Sequence, residues 1–446
     1  MDMYKDRDQY GGWNGLQFGG TGFFRLEDTD RRWWLVTPAG NAFLSFGINH
    51  VEPGLLRNPY NKEHWMREFG LDETSGDQQF LDRFYDKVRQ DLRSGGLNTL
   101  GCHNPNHIYD SLRVPYVFTT RFVDICHYMT PEEEGFIDVW SSEFEAHCDE
   151  EARQRVAPRK EDPYLLGYAM IDCPIWSDLD AAPREVTVYG NKRPGLTTWP
   201  RRLRNLGPES QGKQAYVETM RELYDGNIGR FNATYQSSFA SFDDLAATSK
   251  WRLEVDPDNG RELFDNTVFL NRTVDRYYQV AVGAIRHHDP NHLVLGDKLN
   301  GNTDVSDDLI RIVAKHCDLL FYQYYAIWED QKRLLDRLAR TTGKAILCGD
   351  ASISVPDENM PVPLGPQFRD QHERAEVFRE LIRNCYSRTD FVGWNWCGWV
   401  DRWEVVQPGR QHSGVQDPLG NHYPIVESMR NFSAEMYEIA SPKTVN

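Results

Sequence analysis

The side chains that could do chemistry stand at or just after the ends of seven of the eight short apolar runs of the chain. They combine carboxylates and imidazoles, which move protons, with indoles, phenols and amides, which hold sugar rings and hydroxyl groups. This mixture suits protonation of a glycosidic oxygen beside stacked sugar rings, and it lacks the glycine-rich anion cradle of a phosphate site. The residues are Asn49 and His50; His103 and Asn104; Asp172, Cys173 and Trp176; Asp297 and Lys298; Tyr322, Tyr324 and Glu329; Asp350; and Trp394, Trp396 and Asp401.

Several of these residues also have a structural interpretation. Asp172 and Asp297 can each be paired with a Lys or Arg inside a sheet, and Glu329 and Asp401 can be solvated loop residues. The two indoles of the last run, two positions apart, share one face of a strand because side chains alternate. We expect at least one of them to stack under a sugar ring.

The spacing of the histidines bears on a metal site, and the position of the glycines bears on a nucleotide site. His103 and His107 lie four residues apart, a spacing that suits a metal on a helix, but Pro105 between them indicates a loop. We expect His50 and His103 to bind sugar hydroxyls or to orient their neighbours. The glycines of residues 11–22 precede no strand–helix turn, which excludes a nucleotide site of that type. We therefore predict neither a metal nor a cofactor.

The order of the elements predicts the fold that brings the candidate residues together. Most apolar runs are followed by a segment with helical periodicity, as in residues 79–93, where apolar residues recur every four positions. Strands that alternate with helices form a parallel sheet, and eight such units make a (β/α)8 barrel with its site at the C-terminal ends of the strands. The predicted strands are residues 43–50, 97–102, 114–122, 165–172, 293–298, 319–323, 345–350 and 391–397.

The uneven spacing of the runs predicts one barrel domain over residues 1–446 with a long insertion. Between the fourth and fifth strands, residues 177–262 contain far more chain than one connecting helix needs, and we expect them to cap the barrel mouth. A separately folding domain there is the alternative, although about 100 residues without clear strands would make a thin core. The first 40 residues resemble a β-hairpin that closes the barrel bottom.

Composition narrows the classes of partner. The 50 Lys and Arg against 67 Asp and Glu give a formal charge of −17, which disfavours nucleic acid. No apolar stretch is long enough to span a membrane, and the eight cysteines contain no CxxC pair, which favours buried thiols in a reducing compartment. The polar N-terminus shows no signal peptide, so we expect a cytoplasmic protein, or a secreted one if a leader has been removed. The oligomeric state stays open.

Several segments resemble agarase-type β-glycosidases, in the large clan of retaining (β/α)8 glycoside hydrolases. Residues 32–49 read RWWLVTPAGNAFLSFGIN and are similar to the opening of these enzymes. Residues 96–101 read GLNTLG, where the family has GFNTLG, and residues 289–296 (DPNHLVLG) and 393–396 (GWNW) are similar to its fifth and eighth strands. The resemblance runs from about residue 22 to residue 430, and it implies a barrel fold and a glycosidase activity.

At both catalytic positions the chain departs from that family. The family's acid/base is the Glu of Gly-Tyr-Phe-x-x-Asn-Glu-Pro-x-Trp, whereas residues 167–176 read GYAMIDCPIW, with Asp172 in place of Asn and Cys173 in place of Glu. Its nucleophile is the Glu of Lys-Pro-Ile-Leu-x-x-Glu, whereas residues 344–350 read KAILCGD and end in Asp350. The resemblance implies Asp172 and Asp350 as the working pair, one raised in pKa as proton donor and one ionised.

The departures leave alternatives for the residues and for the reaction. Cys173 is an inert small residue, a neutral thiol lining a pocket, or a nucleophile or proton donor. The leading hypothesis is a glycoside hydrolase that acts on a galactan-like or related oligosaccharide. Retention or inversion is undecided, and the shorter Asp350 favours an activated water. The alternatives are a non-catalytic carbohydrate-binding barrel, a transglycosylase, or a lyase with Tyr324 or His103 as base.

Overall fold

The N-terminal segment forms a small antiparallel sheet. The computed structural model describes residues 6–126, 135–174, 176, 186–188, 191–193, 198–256, 258–301, 305–403 and 413–441. The sheet has the strand order β1-β4-β3-β2, and its β2–β3 pair confirms the predicted hairpin. Its strands are β1 (Trp13–Gln17), β2 (Arg25–Asp28), β3 (Trp33–Val36) and β4 (Asn41–Phe43).

Eight parallel strands close into a barrel, in agreement with the predicted (β/α)8 fold. In the order β5-β6-β7-β8-β11-β12-β13-β14 each strand pairs with the next, and β14 pairs back with β5. All eight predicted strands are present. They are β5 (Ser45–Asn49), β6 (Thr99–Leu100), β7 (Tyr116–Thr119), β8 (Leu165–Asp172), β11 (Leu293–Asn300), β12 (Leu320–Gln323), β13 (Ile346–Ala351) and β14 (Phe391–Cys397), with β9 (Val186–Val188) and β10 (Asn191–Arg193) as a separate hairpin.

The barrel strands are rich in apolar residues and almost entirely buried, because they are covered on both faces. Every residue of β8 and β11 is buried, as parallel strands between a core and a helix layer should be. At the bottom, Phe24 and Leu35 of the N-terminal sheet belong to one apolar cluster with Leu166, Leu319 and Leu347, near the starts of barrel strands. The hairpin therefore closes the barrel bottom and leaves the C-terminal ends of the strands as the mouth.

The helices form the outer layer and the insertion. A representative case is the predicted helix at residues 79–93: its apolar residues face the barrel, and it ends where Gly96 adopts φ 66°. The helices are α1 (Lys62–Glu68), α2 (Asp77–Gly95), α3 (Asn106–Leu112), α4 (Ser142–Arg155), α5 (Trp199–Arg204), α6 (Gln211–Leu223), α7 (Ile228–Tyr235), α8 (Phe242–Ala247), α9 (Gly260–His288), α10 (Asp307–His316), α11 (Trp328–Thr342), α12 (Gln371–Ser387) and α13 (Pro424–Ala440).

The described part of the insertion is held against α9. The Tyr224 hydroxyl donates to Asp265 at 2.6 Å, and Arg252 pairs with the buried Glu262 at 2.6 Å. Its function as a cap over the mouth stays a prediction, since most of residues 177–197 lie outside the described residues.

Two further observations concern the chain as a whole. No helix among the described residues is both long and apolar enough to cross a bilayer. All eight cysteines are buried thiols, as the absence of CxxC pairs predicts.

Candidate active site

Four charged or titratable side chains meet at the mouth of the barrel. The Lys298 Nζ, near the end of β11, lies 2.8 Å from Asp172 Oδ1 at the end of β8 and 3.1 Å from Asp350 Oδ2 on β13. His103, after β6, places its Nε2 2.9 Å from Lys298 Nζ, 3.2 Å from Asp172 Oδ2 and 3.7 Å from Asp350 Oδ2. We call Asp172, Lys298, Asp350 and His103 the mouth quartet.

The backbone turns sharply where three strands deliver their side chains to the mouth. His50, His103 and Cys173 each follow a barrel strand and have φ values of 55°, 64° and 52°. This left-handed conformation is uncommon for residues with a Cβ, and it persists only where the surroundings impose it. The turns bring His50 and His103 into a parallel stack, with ring centroids 4.6 Å apart and an interplanar angle of 12°.

Two asparagines hold these turns and the carboxylates in place. The Asn49 Nδ2 donates to Asp350 Oδ1 and to the Gly349 carbonyl, each at 2.8 Å. The Asn104 Oδ1 accepts from the backbone N–H of Val51 at 2.7 Å, which ties the turn after β5 to the turn after β6. Asn49 and Asn104, predicted to bind substrate, therefore act on the site residues themselves.

Both carboxylates of the mouth quartet are ionised. Burial acts to raise the pKa of Asp350, but the Lys298 ammonium and His103 outweigh it and lower this pKa to about 2. The same opposition, with Lys298 again as the main favourable charge, puts the pKa of Asp172 well below its usual range. The expectation that one member of the pair has a raised pKa is therefore wrong, because a buried ammonium lies between the two carboxylates.

The remaining members of the site follow from the same charges. Burial acts to lower the pKa of Lys298, but its two carboxylate partners raise this pKa well above its usual range, so Lys298 is a cation. Cys173 is fully buried, and burial raises the pKa of its thiol well above the ordinary value. A neutral thiol is a poor nucleophile, which favours the inert or pocket-lining interpretations of Cys173.

The gap between the two carboxylates is short. Both contact the same Lys298 nitrogen, at 2.8 and 3.1 Å, so their nearest oxygens are at most about 5.9 Å apart. Retaining glycosidases have carboxyl groups about 5–5.5 Å apart, whereas inverting ones leave about 6.5–9.5 Å for a water. The expectation that the shorter Asp350 opens room for a water does not fit this spacing.

The ligand atoms of His50, His103 and Asp350 lie within 4.8 Å of one another, a set that would suit a divalent metal in another context. Here the Lys298 ammonium already contacts two of them, at 2.9 and 3.1 Å. The parallel stack also points the two imidazole rings side by side rather than toward one centre. We therefore assign the cation of the site to Lys298 and do not assign these residues as metal ligands.

Comparisons with known proteins show that this chain is similar to agarases. The chain is similar to β-agarase B of Vibrio sp. (strain JT0107), with 21% identity over 98% of this chain and 51% of that protein, and to β-agarase A of the same strain, with 21% identity over 85% and 42%. A solved exo-β-agarase structure matches with a TM-score of 0.79 at 17% identity, over 98% of this chain and 68% of that one. The resemblance to agarases is confirmed. No protein-family model matches, and the chain spans about half the length of the curated relatives it matches.

The structure does not place the predicted tryptophan platform at the mouth. Trp394 and Trp396 on β14 are 1% and 0% exposed, and the Trp396 ring packs edge-on against Phe378 of α12 at 5.5 Å. Both indoles therefore face the helix layer, and Asn395 between them faces the barrel interior, where a Cβ on Gly47 would lie 2.3 Å from its Oδ1. Alternation correctly predicts a shared face, but not which face points inward.

Three more predicted substrate ligands face the helix layer instead of the mouth. Asp297 on β11 is fully buried and accepts from the Tyr277 hydroxyl of α9 at 3.4 Å; burial raises its pKa to about 7. Trp176 packs against Tyr278 of the same helix at 5.3 Å. The Tyr322 hydroxyl donates to Gln331 of α11 at 3.0 Å. Each has a buried partner outside the barrel, so the structure does not bring these three residues to the mouth.

The last predicted ligands fall into two groups. Asp401 is buried and accepts from the Gly414 N–H and the Tyr423 hydroxyl at 2.6 Å each, so it holds the chain after β14 and does not bind substrate; burial raises its pKa to about 6. Glu329 is exposed in the first turn of α11. Tyr324 is half-buried, and its ring packs against Gly301, just beyond β11. Its contact with substrate stays a prediction.

Sequence reasoning missed two features of the mouth. Lys298 was seen beside Asp297, but only one of two consecutive strand residues can face the interior, and the irregular pairing of β11 near Gly296 decides which. The aromatic pair at the mouth is Tyr60 with Trp403, whose ring centroids are 5.6 Å apart. Both rings are partly exposed. The sequence signal that could have identified them is their position in the segments after β5 and β14.

Proposed function

We propose that this protein is a glycoside hydrolase that cleaves an agarose-type galactan or a related oligosaccharide. The observation that carries the proposal is the convergence of Asp172 and Asp350 on one ammonium at the mouth of a (β/α)8 barrel, with at most about 5.9 Å between their nearest oxygens. This upper limit is close to the separation of about 5–5.5 Å between the carboxyl groups of retaining glycosidases. The similarity to two β-agarases supports the substrate class.

The charges of the pair support a division of functions. Asp350 is ionised and aligned by the Asn49 amide, so it is suited to attack the anomeric carbon and form a covalent intermediate. Asp172 is also ionised and therefore does not supply a proton; it fixes Lys298 and His103 through its two oxygens. The two members of the predicted Asp/Asp pair then have different functions. Asp350 reacts with the anomeric carbon, and Asp172 positions Lys298 and His103.

The rest of the mouth supports a neutral polyhydroxylated ligand. Imidazole and phenol groups offer hydrogen bonds to hydroxyls, and the Tyr60–Trp403 pair offers an apolar ring face. The net charge of −17 disfavours strongly anionic polymers as ligands.

One observation favours a second candidate function, a carbohydrate-binding barrel without catalysis. Within the mouth quartet, a single ammonium compensates both carboxylates, and neither of them holds a proton. A site that has lost its acid could retain oligosaccharide binding while turnover is absent.

Turnover and binding measured together separate the two candidates. Purified protein is incubated with agarose-, carrageenan- and galactan-derived oligosaccharides. Chromatography measures the products, and calorimetry measures binding. The hydrolase proposal expects cleavage that Asp350→Asn lowers by at least about 10³-fold while binding persists. The matched control, Glu376→Gln, changes an exposed carboxylate on α12 and should leave turnover unchanged. Binding without cleavage by the unaltered protein would instead establish the second candidate.

A further inference from the structure

The mouth quartet lacks an obvious proton donor. Breaking an acetal requires a proton on the leaving oxygen, yet the pKa values of Asp172 and Asp350 are lowered by Lys298. Burial raises the pKa of the Cys173 thiol, and the carboxylate partners of Lys298 raise that of its ammonium, so both hold their protons too firmly to be useful acids. The carboxyls with raised pKa that strand ends provide, Asp297 and Asp401, are buried outside the mouth.

We propose that His103 is the proton donor to the glycosidic oxygen and that Asp172 is its positioning partner. This inference rests on the proposed hydrolase function and adds a residue that the resemblance to agarases does not assign. An imidazole is the side chain that most readily holds and releases a proton between pH 5 and 8. Its Nε2 lies in the gap between the carboxylates, 3.2 Å from Asp172 Oδ2 and 3.7 Å from Asp350 Oδ2.

Exposure distinguishes His103 from the other members of the quartet. Its side chain is 23% exposed, whereas those of Asp172, Lys298 and Asp350 are 9%, 3% and 4% exposed. His103 is therefore the member that a ligand entering the mouth meets first. The left-handed turn at His103 and the parallel stack on His50 hold the ring in this orientation, which a catalytic acid requires.

The charges around His103 balance when its ring is protonated. Asp172 and Asp350 contribute two negative charges and Lys298 one positive charge, so an imidazolium brings the mouth quartet to zero. On the other face of the ring lies His50, whose pKa is lowered by burial and which therefore stays neutral beside the imidazolium. Glu52 lies on the far side of His50, with its Oε1 3.6 Å from His50 Nδ1.

The step can be written with all atoms accounted for. The Nε2 proton passes to the glycosidic oxygen as the bond from that oxygen to the anomeric carbon breaks, and the electron pair of this bond stays on the oxygen. Asp350 forms the new bond to the anomeric carbon. The Lys298 ammonium, 2.9 Å from Nε2, can donate to the neutral ring as soon as the proton has left, which stabilises the product of the transfer. Water then attacks the same carbon, returns a proton to Nε2 and releases Asp350.

Leaving-group dependence tests this assignment. A 2,4-dinitrophenyl glycoside of the oligosaccharide departs without protonation, whereas the plain oligosaccharide needs it. We expect His103→Gln to lower kcat/KM by about 10²- to 10⁴-fold on the plain oligosaccharide and by less than about 10-fold on the activated glycoside. Retained turnover of the activated glycoside shows at the same time that the variant is folded.

Three comparisons make the outcomes distinct. His372→Gln, which alters an exposed histidine at the start of α12, should match the unaltered protein on both substrates. Asp350→Asn should lose both activities, and Asp172→Asn should lose mainly the plain oligosaccharide, with recovery in Asp172→Glu. Equal losses on both substrates in His103→Gln, or none on the plain oligosaccharide, would overturn the assignment while the hydrolase proposal stands. If the unaltered protein cleaves neither substrate, both proposals fail together.

Discussion

Asp172 and Asp350 approach each other from opposite sides of the barrel mouth and are joined by the ammonium of Lys298, 2.8 Å from one and 3.1 Å from the other. β8 and β13 are not neighbours in the barrel, so this ion triad is a contact across the mouth. The two carboxylates and the ammonium therefore behave as one unit. A change in any member alters the charge and position of the other two.

Removal of the shared cation should affect both stability and acid–base behaviour. Lys298→Met leaves two buried carboxylates facing each other, so we expect a loss of about 3–5 kcal/mol of unfolding free energy at pH 7. It also removes the cause that holds both pKa values down, so at least one carboxyl should titrate at a higher pH. Urea unfolding and the pH dependence of turnover measure these effects. Lys315→Met, which breaks an exposed pair with Asp275, is the control and should cost less than about 1 kcal/mol.

The pH dependence of stability should carry the signature of Asp297. Burial raises its pKa from 3.8 to about 7, so between these pH values the folded state binds a proton that the unfolded state lacks. The stability that this group contributes is complete below about pH 4 and is lost as the pH rises through 7, on the order of 4 kcal/mol in all. Asp297→Asn should flatten this decline in urea unfolding between pH 5 and pH 8. If the slope persists, Asp297 is not its source; Asp308→Asn, an exposed substitution, is the control.

Gly101 should be required for the position of Asp350. A Cβ at this residue would lie 1.9 Å from Asn49 Oδ1, so Gly101→Ala must displace the amide that donates to Asp350. We expect a loss of about 1–3 kcal/mol in stability together with reduced turnover. Gly283→Ala on α9, where a Cβ meets nothing within 4 Å, should instead stabilise by up to about 1 kcal/mol without altering turnover. Equal behaviour of the two variants would contradict the packing argument.

The Tyr60–Trp403 pair should contribute to binding rather than to folding. Trp403→Ala removes a partly exposed ring at the mouth, and we expect an approximately 10-fold weaker affinity for oligosaccharide, since aromatic contacts of this kind contribute about 0.5–1.5 kcal/mol. Trp396→Ala removes a fully buried indole and should cost about 3–5 kcal/mol of stability. Calorimetric titration and thermal unfolding of both variants measure the contrast. A large loss of stability in Trp403→Ala would assign this ring to the core.

The barrel could be predicted from sequence because its strands are buried on both faces. β8 and the first half of β11 consist of apolar residues and glycine that lead into polar C-terminal ends, and that pattern survives any detail of packing. The helices α4 and α13 were not predicted. The charged residues of α4 mask its few buried positions, Phe144, Cys148 and Ala152.

The site could be predicted only to the level of strand ends. Position along a strand does not tell which of two consecutive residues faces inward, so the sequence could not single out Lys298 over Asp297 or Asn395 over the β14 indoles. Ionisation could not be predicted either, because it depends on a lysine from a third strand. Convergence of Asp172 with Asp350 followed from the fold, but the state of the pair required coordinates.

The configuration of the first product tests the central claim most directly. When cleavage of an agarose-type oligosaccharide is followed by proton NMR, the spectra show which anomer is released before mutarotation. Because the ionised Asp350 is assigned as the nucleophile, cleavage takes two displacements at the anomeric carbon, and we predict a product with the configuration of the substrate, and none above background from Asp350→Asn. An inverted first product, or undiminished release by Asp350→Asn, would contradict the account.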